Sequence, residues 1–252
     1  MSAAAPRSVI IAGATSGMAR ACAAVFAREG YAVALGARND EENERIANDL
    51  RVRYGGTAAA IHFEAADFDS HEGFLTACAE ALGGEAGGLI YFAGTMAEQR
   101  AAEQDFTLAR TMIDVNYTGC VSLTEAFARR CEARQAGFIG LVSSAAGDRG
   151  KQSNYIYGST KGAMTVYAQG LRNRLFKSGV SVTTVKPGFV DTAMTFGMKL
   201  PPALTASPEQ AAEAIFRGVV RRRDVVYVLW FWRYIMLIIC AIPEWQFKKM
   251  GM

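Results

Sequence analysis

Two side chains in this sequence are spaced for proton chemistry. Tyr157 and Lys161 stand four residues apart, so on a helix both project from one face. A phenol at its ordinary pKa of about 10 is a poor proton donor near neutrality. A nearby ammonium favours the phenolate and should draw the phenol towards the working pH. Such a phenol can protonate a carbonyl oxygen during reduction and remove the proton from an alcohol during oxidation. Near the start of the chain lies Gly13-Ala14-Thr15-Ser16-Gly17-Met18-Ala19. A strand running into a glycine-containing turn and then a helix aims backbone N–H groups and the positive dipole end at a pyrophosphate. Small residues in such a turn also serve packing, and Y-x-x-x-K alone is uninformative, so the frame has to decide.

That frame is an alternation of apolar runs and amphipathic segments. Strands are expected at Ser8–Ala12, Tyr31–Leu35, Ala58–Glu64, Gly88–Phe92, Gly137–Ser143, Ser181–Lys186 and Val225–Val228. Helices are expected at Met18–Arg28, Glu41–Tyr54, Ser70–Leu82, Phe106–Arg134, Tyr157–Lys177 and Pro208–Arg221. Strands that are apolar throughout, separated by helices, indicate a parallel sheet covered on both faces. The reading is one doubly wound (Rossmann) α/β domain over residues 1–228, with residues 229–252 a C-terminal apolar helical tail of the same unit. A chain of 252 residues fits one such domain. With 51% hydrophobic and 20% charged residues it is not a disordered chain, and a net charge of +3 is too weak to suggest nucleic acid. The five cysteines show no ligand or redox spacing, which points to reduced thiols in a cytosolic setting. Ser2–Pro6 and the short apolar run after it do not form a signal-peptide core. His62 and His71 lie away from these motifs and read as structural or exposed.

Further motifs fall in register with the first two. Asp114-Val115-Asn116 lies within a helix, and Ser143-Ser144-Ala145-Ala146-Gly147 ends the fifth strand. Lys186-Pro187-Gly188-Phe189-Val190-Asp191-Thr192 follows the sixth. Together, in this order over Ser8 to Val228, they resemble the short-chain dehydrogenase/reductase family. The resemblance implies an NAD(P)-dependent oxidoreductase that reduces a ketone by hydride transfer. It makes Tyr157 the general acid, and Lys161 both its tuning partner and a holder of the nicotinamide ribose. Ser144, thirteen residues before Tyr157, would hydrogen-bond the substrate oxygen as charge develops. Asn116 would anchor a water beside the lysine. The cofactor would lie along Gly13, Thr15, Ser16, Gly17 and Met18, then Ala93 and Gly94, with Pro187, Gly188, Val190 and Thr192 at the nicotinamide end. Asp67, followed by Phe68, matches the adenine-reading position, although a plain loop-capping Asp is as good a reading of the residue alone.

Two departures stand out. The family's third turn glycine is Ala19, a methyl the helix packing can absorb, and its Asn-Ala-Gly after the fourth strand is Phe92-Ala93-Gly94. The second removes a polar support on the adenosine side. Ser143 and Tyr155 are competing neighbours, but only Tyr157/Lys161 and Ser144/Gly147 fit both spacings. At the end of the second strand, Ala37 occupies the position of a ribose-binding acid and Arg38 follows. That favours NADP(H) through a charge-assisted contact with the 2′-phosphate, with NAD(H) left open and a solvated, adenine-stacking Arg38 as the alternative. A dinucleotide-sensing protein without turnover is the reading of another class, and the intact Ser144, Tyr157 and Lys161 argue against it.

The mean hydropathy of +0.09 has a local origin. Val225 to Ile242 is an eighteen-residue stretch whose only charge is Arg233, and Trp230, Trp232 and Trp245 are the chain's three tryptophans. From Arg217 onward seven basic residues face two acids, a net +5, which leaves −2 for the chain before it. A spanning helix needs about 20 apolar residues, and the seventh strand claims part of this run. An oligomer interface or core helix is a second reading, and an interfacial membrane anchor fits best. The tail Trp232-Arg233-Tyr234-Ile235-Met236-Leu237-Ile238-Ile239, with Ile242-Pro243, looks like that of one subgroup. So does Pro187-Gly188-Phe189-Val190 running into Met194-Thr195. That subgroup is the decaprenylphospho-erythro-pentofuranosid-2-ulose 2-reductases. It implies a lipid-linked 2-keto sugar substrate, a flavin oxidase acting one step earlier, and an enzyme peripheral to the cytoplasmic membrane face. A soluble homodimer or homotetramer acting on another carbonyl or alcohol is the rival. Ala193–Ser207, with Met194, Met198, Leu200, Pro201 and Pro202, is a candidate apolar lid or an oligomer contact.

Overall fold

Short runs of β-branched and small apolar residues pair into one parallel sheet in the computed structural model, which describes residues 6–197 and 199–251. Residues 1–5, Met198 of the candidate lid and Met252 lie outside the described residues. In chain order the strands are β1 (Ser8–Ala12), β2 (Ala32–Ala37), β3 (Ala58–His62), β4 (Gly88–Tyr91), β5 (Phe138–Val142) and β6 (Ser181–Lys186). Then come β7 (Phe189–Val190), β8 (Thr205–Ala206) and β9 (Val225–Tyr227). The seven-stranded sheet runs β3-β2-β1-β4-β5-β6-β9, and β7 and β8 form a separate small pair. The order reverses between β1 and β4, where Ala12 pairs with Gly36 on one side and Tyr91 on the other. A doubly wound sheet opens a ligand crevice at this switch point, beyond the carboxyl ends of the strands.

The helices are α1 (Gly17–Arg28), α2 (Asp40–Tyr54), α3 (His71–Ala81), α4 (Gln99–Gln104) and α5 (Phe106–Ile113). They continue with α6 (Gly119–Arg134), α7 (Tyr155–Leu175), α8 (Pro208–Val220), α9 (Trp232–Ala241) and α10 (Glu244–Phe247). Side chains alternate across a strand, and β1 shows the division. Val9 and Ile11 join the core under α1, α2 and α8, whereas Ile10 and Ala12 join the core under α3, α6 and α7. The expected two-faced α/β fold is therefore present. All five cysteines are free. His62 is exposed beside Asp40, and His71 is buried against Ser122.

The expected single helix Phe106–Arg134 is interrupted. Asp114–Thr118 forms a π turn between α5 and α6, and Asn116 lies inside it. The Val115 carbonyl accepts from the Tyr91 hydroxyl at 2.7 Å. Gly119 then seats against β3's exit, where an added Cβ would meet the Ala65 carbonyl oxygen at 2.1 Å.

The tail divides as well. β9 extends the sheet beside β6, α9 is ten residues long, and Pro243 separates it from α10. No helix among the described residues is long and apolar enough to cross a membrane, which overturns the spanning reading. Trp232 and Met236 are buried against Ala145, with Phe189 and Leu204 packed around them.

Gly119→Ala sets two effects against each other. Alanine gains about 1 kcal/mol of helix propensity, but a Cβ 2.1 Å from a backbone oxygen forces the chain to move. Overpacking costs roughly 1–3 kcal/mol and more when backbone is struck, so the variant should lose about 2 kcal/mol. A urea midpoint at or above that of the parent would contradict this account of the turn.

Candidate active site

The catalytic candidates meet at the carboxyl end of β5. Ser144 follows β5, and its Oγ accepts from the Ala146 amide at 3.1 Å, capping the turn Ala145–Gly147. That turn packs directly on α7: a Cβ on Gly147 would stand 2.6 Å from the Gly162 nitrogen. A Cβ on Gly158 would stand 2.8 Å from the Ala146 oxygen. The two glycines thus bring the serine turn and the Tyr157-bearing helix into backbone contact. The phenol hydrogen-bonds Ser144, and the Lys161 ammonium lies 5.8 Å from the centre of the Tyr157 ring.

Lys161 is 4% exposed, and its Nζ donates to the Val142 carbonyl at 2.9 Å. No carboxylate lies within ion-pair distance of it among the described residues. Burial therefore disfavours its charge and brings its pKa down to about 8. Burial also raises Tyr157 to about 12, with the Ser144 hydrogen bond pulling the other way. The expected lowering of the phenol by the lysine is not what this geometry gives. The ammonium is aimed at a strand carbonyl, and desolvation is the stronger effect on both groups.

Ser143 and Tyr155, the competing neighbours, have different surroundings. Ser143 is buried and donates to the Lys161 carbonyl at 2.7 Å, with Thr165 Oγ1 at 2.9 Å. It holds α7 to the sheet. Tyr155 is 45% exposed at the start of α7. Asn116 is fully buried and bridges two segments: its Oδ1 accepts from the Thr95 amide at 2.7 Å. Its Nδ2 donates to the Thr95 carbonyl at 2.9 Å and to Thr160 Oγ1 at 3.1 Å. A Cβ on Gly94 would stand 3.3 Å from Asn116 Oδ1 and 3.4 Å from Lys161 Nζ. Thr95 and Thr160 carry no motif, so the sequence left them unmarked.

The nucleotide end is built around Gly13. Its amide and that of Ala14 donate to the Gly36 carbonyl at 2.8 and 2.9 Å, so the turn folds over β2. Gly13 has φ of +90°, and a Cβ there would stand 2.5 Å from the Ala93 nitrogen. Only glycine satisfies both conditions. Ser16 caps α1 by accepting from the Ala19 amide at 3.2 Å. The first-turn amides of Gly17 and Met18 have no carbonyl one turn back to bond. Gly13, Thr15, Ser16, Arg38, Ala93 and Gly94 line one cavity of about 340 Å³. Asp67 and Phe68 are exposed, do not line it, and the Asp67 side chain caps nothing. Arg38 is mostly exposed, 3.6 Å from the Glu64 carboxylate.

The departures find physical explanations. Ala19 is fully buried in the core under α1, and Phe92 is 9% exposed in the same core. Phe92 thus contributes packing where the family pattern has an amide. At the other end, Pro187 accepts from the Ala145 amide at 2.8 Å. Val190 pairs with Ala206, and Thr192 caps the turn Ala193–Thr195. A Cβ on Gly17 would stand 4.0 Å from Thr192 Cγ2, so Thr192 lies beside the start of α1.

The chain matches the short chain dehydrogenase family over residues 7–200 and belongs to it. It is 31% identical over 224 residues to an uncharacterized oxidoreductase of Mycobacterium tuberculosis, covering 88% of each chain. It is also 31% identical over 247 residues to one of Streptomyces coelicolor encoded in the mprA 5′ region, covering 97% of this chain and 96% of that one. A short-chain dehydrogenase from Sphingobium yanoikuyae, solved in complex with NADPH, superposes with a TM-score of 0.81 at 26% identity. That match covers 95% of this chain and 97% of the other. An alcohol dehydrogenase from the archaeon Thermococcus sibiricus, complexed with 5-hydroxy-NADP, gives 0.78 at 26% identity over 87% and 94% of the two chains. The chain is an oxidoreductase of this family.

The buried lysine makes stability depend on pH. Its folded pKa of about 8 lies below the ordinary lysine value of 10.5, so between these the unfolded chain binds the extra proton. Stability therefore rises with pH across that window, by at most about 1.4 kcal/mol per pH unit. Lys161→Met should remove this rise, read as the difference in urea midpoint between parent and variant from pH 8 to 10. Parallel curves would show that the lysine is not desolvated as described.

Proposed function

We propose that this chain reduces a ketone to an alcohol with NADPH, Tyr157 giving the proton to the carbonyl oxygen. The observation that carries the reading is the convergence of Ser144, Tyr157 and Lys161 at the carboxyl end of β5, with Gly94, which lines the Gly13 cavity, next to the Lys161 ammonium. The Gly13 cavity suits a dinucleotide: Gly13, Thr15 and Ser16 line it at the start of α1, whose first-turn amides have no carbonyl one turn back to bond. Gly13, Thr15, Ser16, Gly17 and Met18 would hold the pyrophosphate and Arg38 the 2′-phosphate. Ala93 and Gly94 would border the adenosine side and Pro187, Gly188, Val190 and Thr192 the nicotinamide, while Asp67 and Phe68, outside the cavity lining, would meet the adenine only beyond its rim. The chemistry such a cofactor supplies is a hydride for the carbonyl carbon.

The rest falls to the protein. Ser144 donates to the carbonyl oxygen as negative charge builds on it. Tyr157, neutral at pH 7 because burial holds its pKa high, carries the proton that the oxygen must receive. Lys161, close to half-charged near pH 8, stabilises the phenolate left behind and would hold the nicotinamide ribose. Asn116 fixes Thr95 and the first turn of α7, and keeps the space next to Lys161 in shape for a water.

For the substrate, Phe189, Leu204 and Trp232 form an apolar wall beside Gly188. It suits a bulky or lipid-bearing ketone better than a small polar one. Together with the tail sequence it supports a 2-keto sugar on a polyprenyl phosphate, made by a flavin oxidase and reduced at the cytoplasmic face of the membrane. Loss of reduced-nicotinamide absorbance with such a 2-keto lipid sugar, and recovery of the alcohol, tests this directly. Activity on soluble bulky ketones alone would leave the reductase standing and remove the lipid substrate.

Tyr157→Phe should lower turnover by about three orders of magnitude while NADPH affinity stays within about threefold. Retained turnover would end the assignment of the proton donor. Arg38→Ser should raise the KM for NADPH by roughly 10–100-fold, the worth of a charge-assisted phosphate contact, and leave that for NADH nearly unchanged. Equal effects on the two cofactors would place Arg38 outside the 2′-phosphate site.

A further inference from the structure

The helix α9 is apolar on two faces, and only one of them has a partner within the chain. Trp232 and Met236 point inward, where the Trp232 indole donates to the Leu204 carbonyl at 3.2 Å and fills the space above Gly188. On the other side Tyr234, Leu237 and Ile238 are 56%, 66% and 67% exposed, and Trp230 just before the helix is 73% exposed. Large exposed apolar surface of this kind marks a contact site.

The charge beside it identifies the partner. Arg221, Arg222, Arg223 and Arg233 line a groove of about 1130 Å³ whose other wall includes Tyr234 and Leu237. Among the described residues none of the four arginines has a carboxylate within ion-pair distance, whereas most other arginines of the chain do. The groove's own acids are engaged elsewhere. Asp148 pairs with Lys186 and accepts from the Tyr227 hydroxyl, and Asp224 lies 3.5 Å from Arg172. Arg221 and Arg223 also border the adjacent groove in which Trp230 stands.

We infer that this face docks on an anionic lipid bilayer, the arginines meeting headgroup phosphates while Trp230, Tyr234, Leu237 and Ile238 enter the acyl boundary. The inference deepens the membrane-side location proposed above and names the surface that would provide it. Aromatic and aliphatic side chains bordered by guanidiniums are the pattern of an interfacial helix. A second copy of the chain fits less well: in a twofold contact each surface meets itself, so the arginine clusters of two copies would be brought together. The bilayer supplies the opposite charge. Because the inner face of α9 packs on Gly188 and Phe189, docking on its outer face would hold that segment one helix away from the lipid.

Flotation of the full chain with vesicles of phosphatidylcholine containing phosphatidylglycerol, against vesicles of phosphatidylcholine alone, tests this. The parent should float with the anionic vesicles, float weakly with the neutral ones, and be released by high salt. Arg221→Gln, Arg223→Gln and Arg233→Gln should each weaken binding about fivefold, and the triple variant about a hundredfold. Leu237→Ser combined with Ile238→Ser should abolish flotation even at low salt. Turnover of a soluble ketone without vesicles should be unchanged in these variants, which separates loss of docking from loss of fold or of the reductase activity itself. Equal binding to both vesicle types, or none to either, would overturn the inference. So would a solution dimer that Leu237→Ser disperses.

Discussion

A buried ammonium that pairs with a strand carbonyl instead of a carboxylate is the constraint on which the centre of this molecule depends. Lys161 is 4% exposed and donates to the last residue of β5 at 2.9 Å. A charge in that position is tolerated only if its surroundings are polar and fixed. The surroundings are fixed from three sides. Ser143 grips the Lys161 carbonyl, Gly94 lies against the ammonium and Asn116 Oδ1, and Asn116 ties the Gly94–Thr95 segment to α7 through Thr160. Each of these residues serves the position of one nitrogen atom. The π turn at Asp114–Thr118 belongs to the same arrangement, because it carries Asn116 and releases the Val115 carbonyl to Tyr91.

Much of this was legible in the sequence, because it rests on residue types. The strand and helix alternation, the Gly13 turn, Ser144 and the Tyr157/Lys161 pair were each marked by periodicity or by a motif. What escaped rests on backbone atoms and on burial. Nothing in the sequence shows that the Val142 carbonyl receives the lysine, or that Thr95 and Thr160 hold Asn116. Nor does spacing show the sign of the phenol's displacement, because it suggests a dominant ammonium and is silent on burial. The folded chain desolvates both groups, so both move towards their neutral forms. The long helix expected over Phe106–Arg134 was right in extent. Its π turn is invisible to a periodicity that changes by only one residue.

The tail shows the opposite limit. An apolar run of eighteen residues from Val225 to Ile242 looks like one element in sequence. In the fold it is a sheet edge, a connection and a ten-residue helix. Hydropathy reports how much apolar surface there is but not how it is shared between partners. Here one share is spent on Gly188, Phe189 and Leu204, and the other faces outward beside arginines that have no carboxylate within ion-pair distance among the described residues.

The inward share is held by an ionic cluster that also reaches the turn carrying Ser144. Asp148, one residue beyond Gly147, pairs with Lys186 of β6 and accepts from Tyr227 of β9. Arg149 donates to the carbonyls of Ile239 and Ile242, each at 2.6 Å, and lies 3.7 Å over the Phe247 ring. The end of β5, the Pro187-Gly188 segment, the last strand and α9 are thereby joined at two adjacent residues. The Asp148 and Lys186 side chains are only 9% and 10% exposed, so removing either partner would leave the other charge desolvated. That penalty is about 3–5 kcal/mol for a buried pair, comparable with the whole stability margin of many domains. The tail therefore does not behave as an appendage to the catalytic domain. Arg149 and Asp148 thus tie α9 to the turn that carries Ser144, and Trp232 ties it to Gly188 and Leu204.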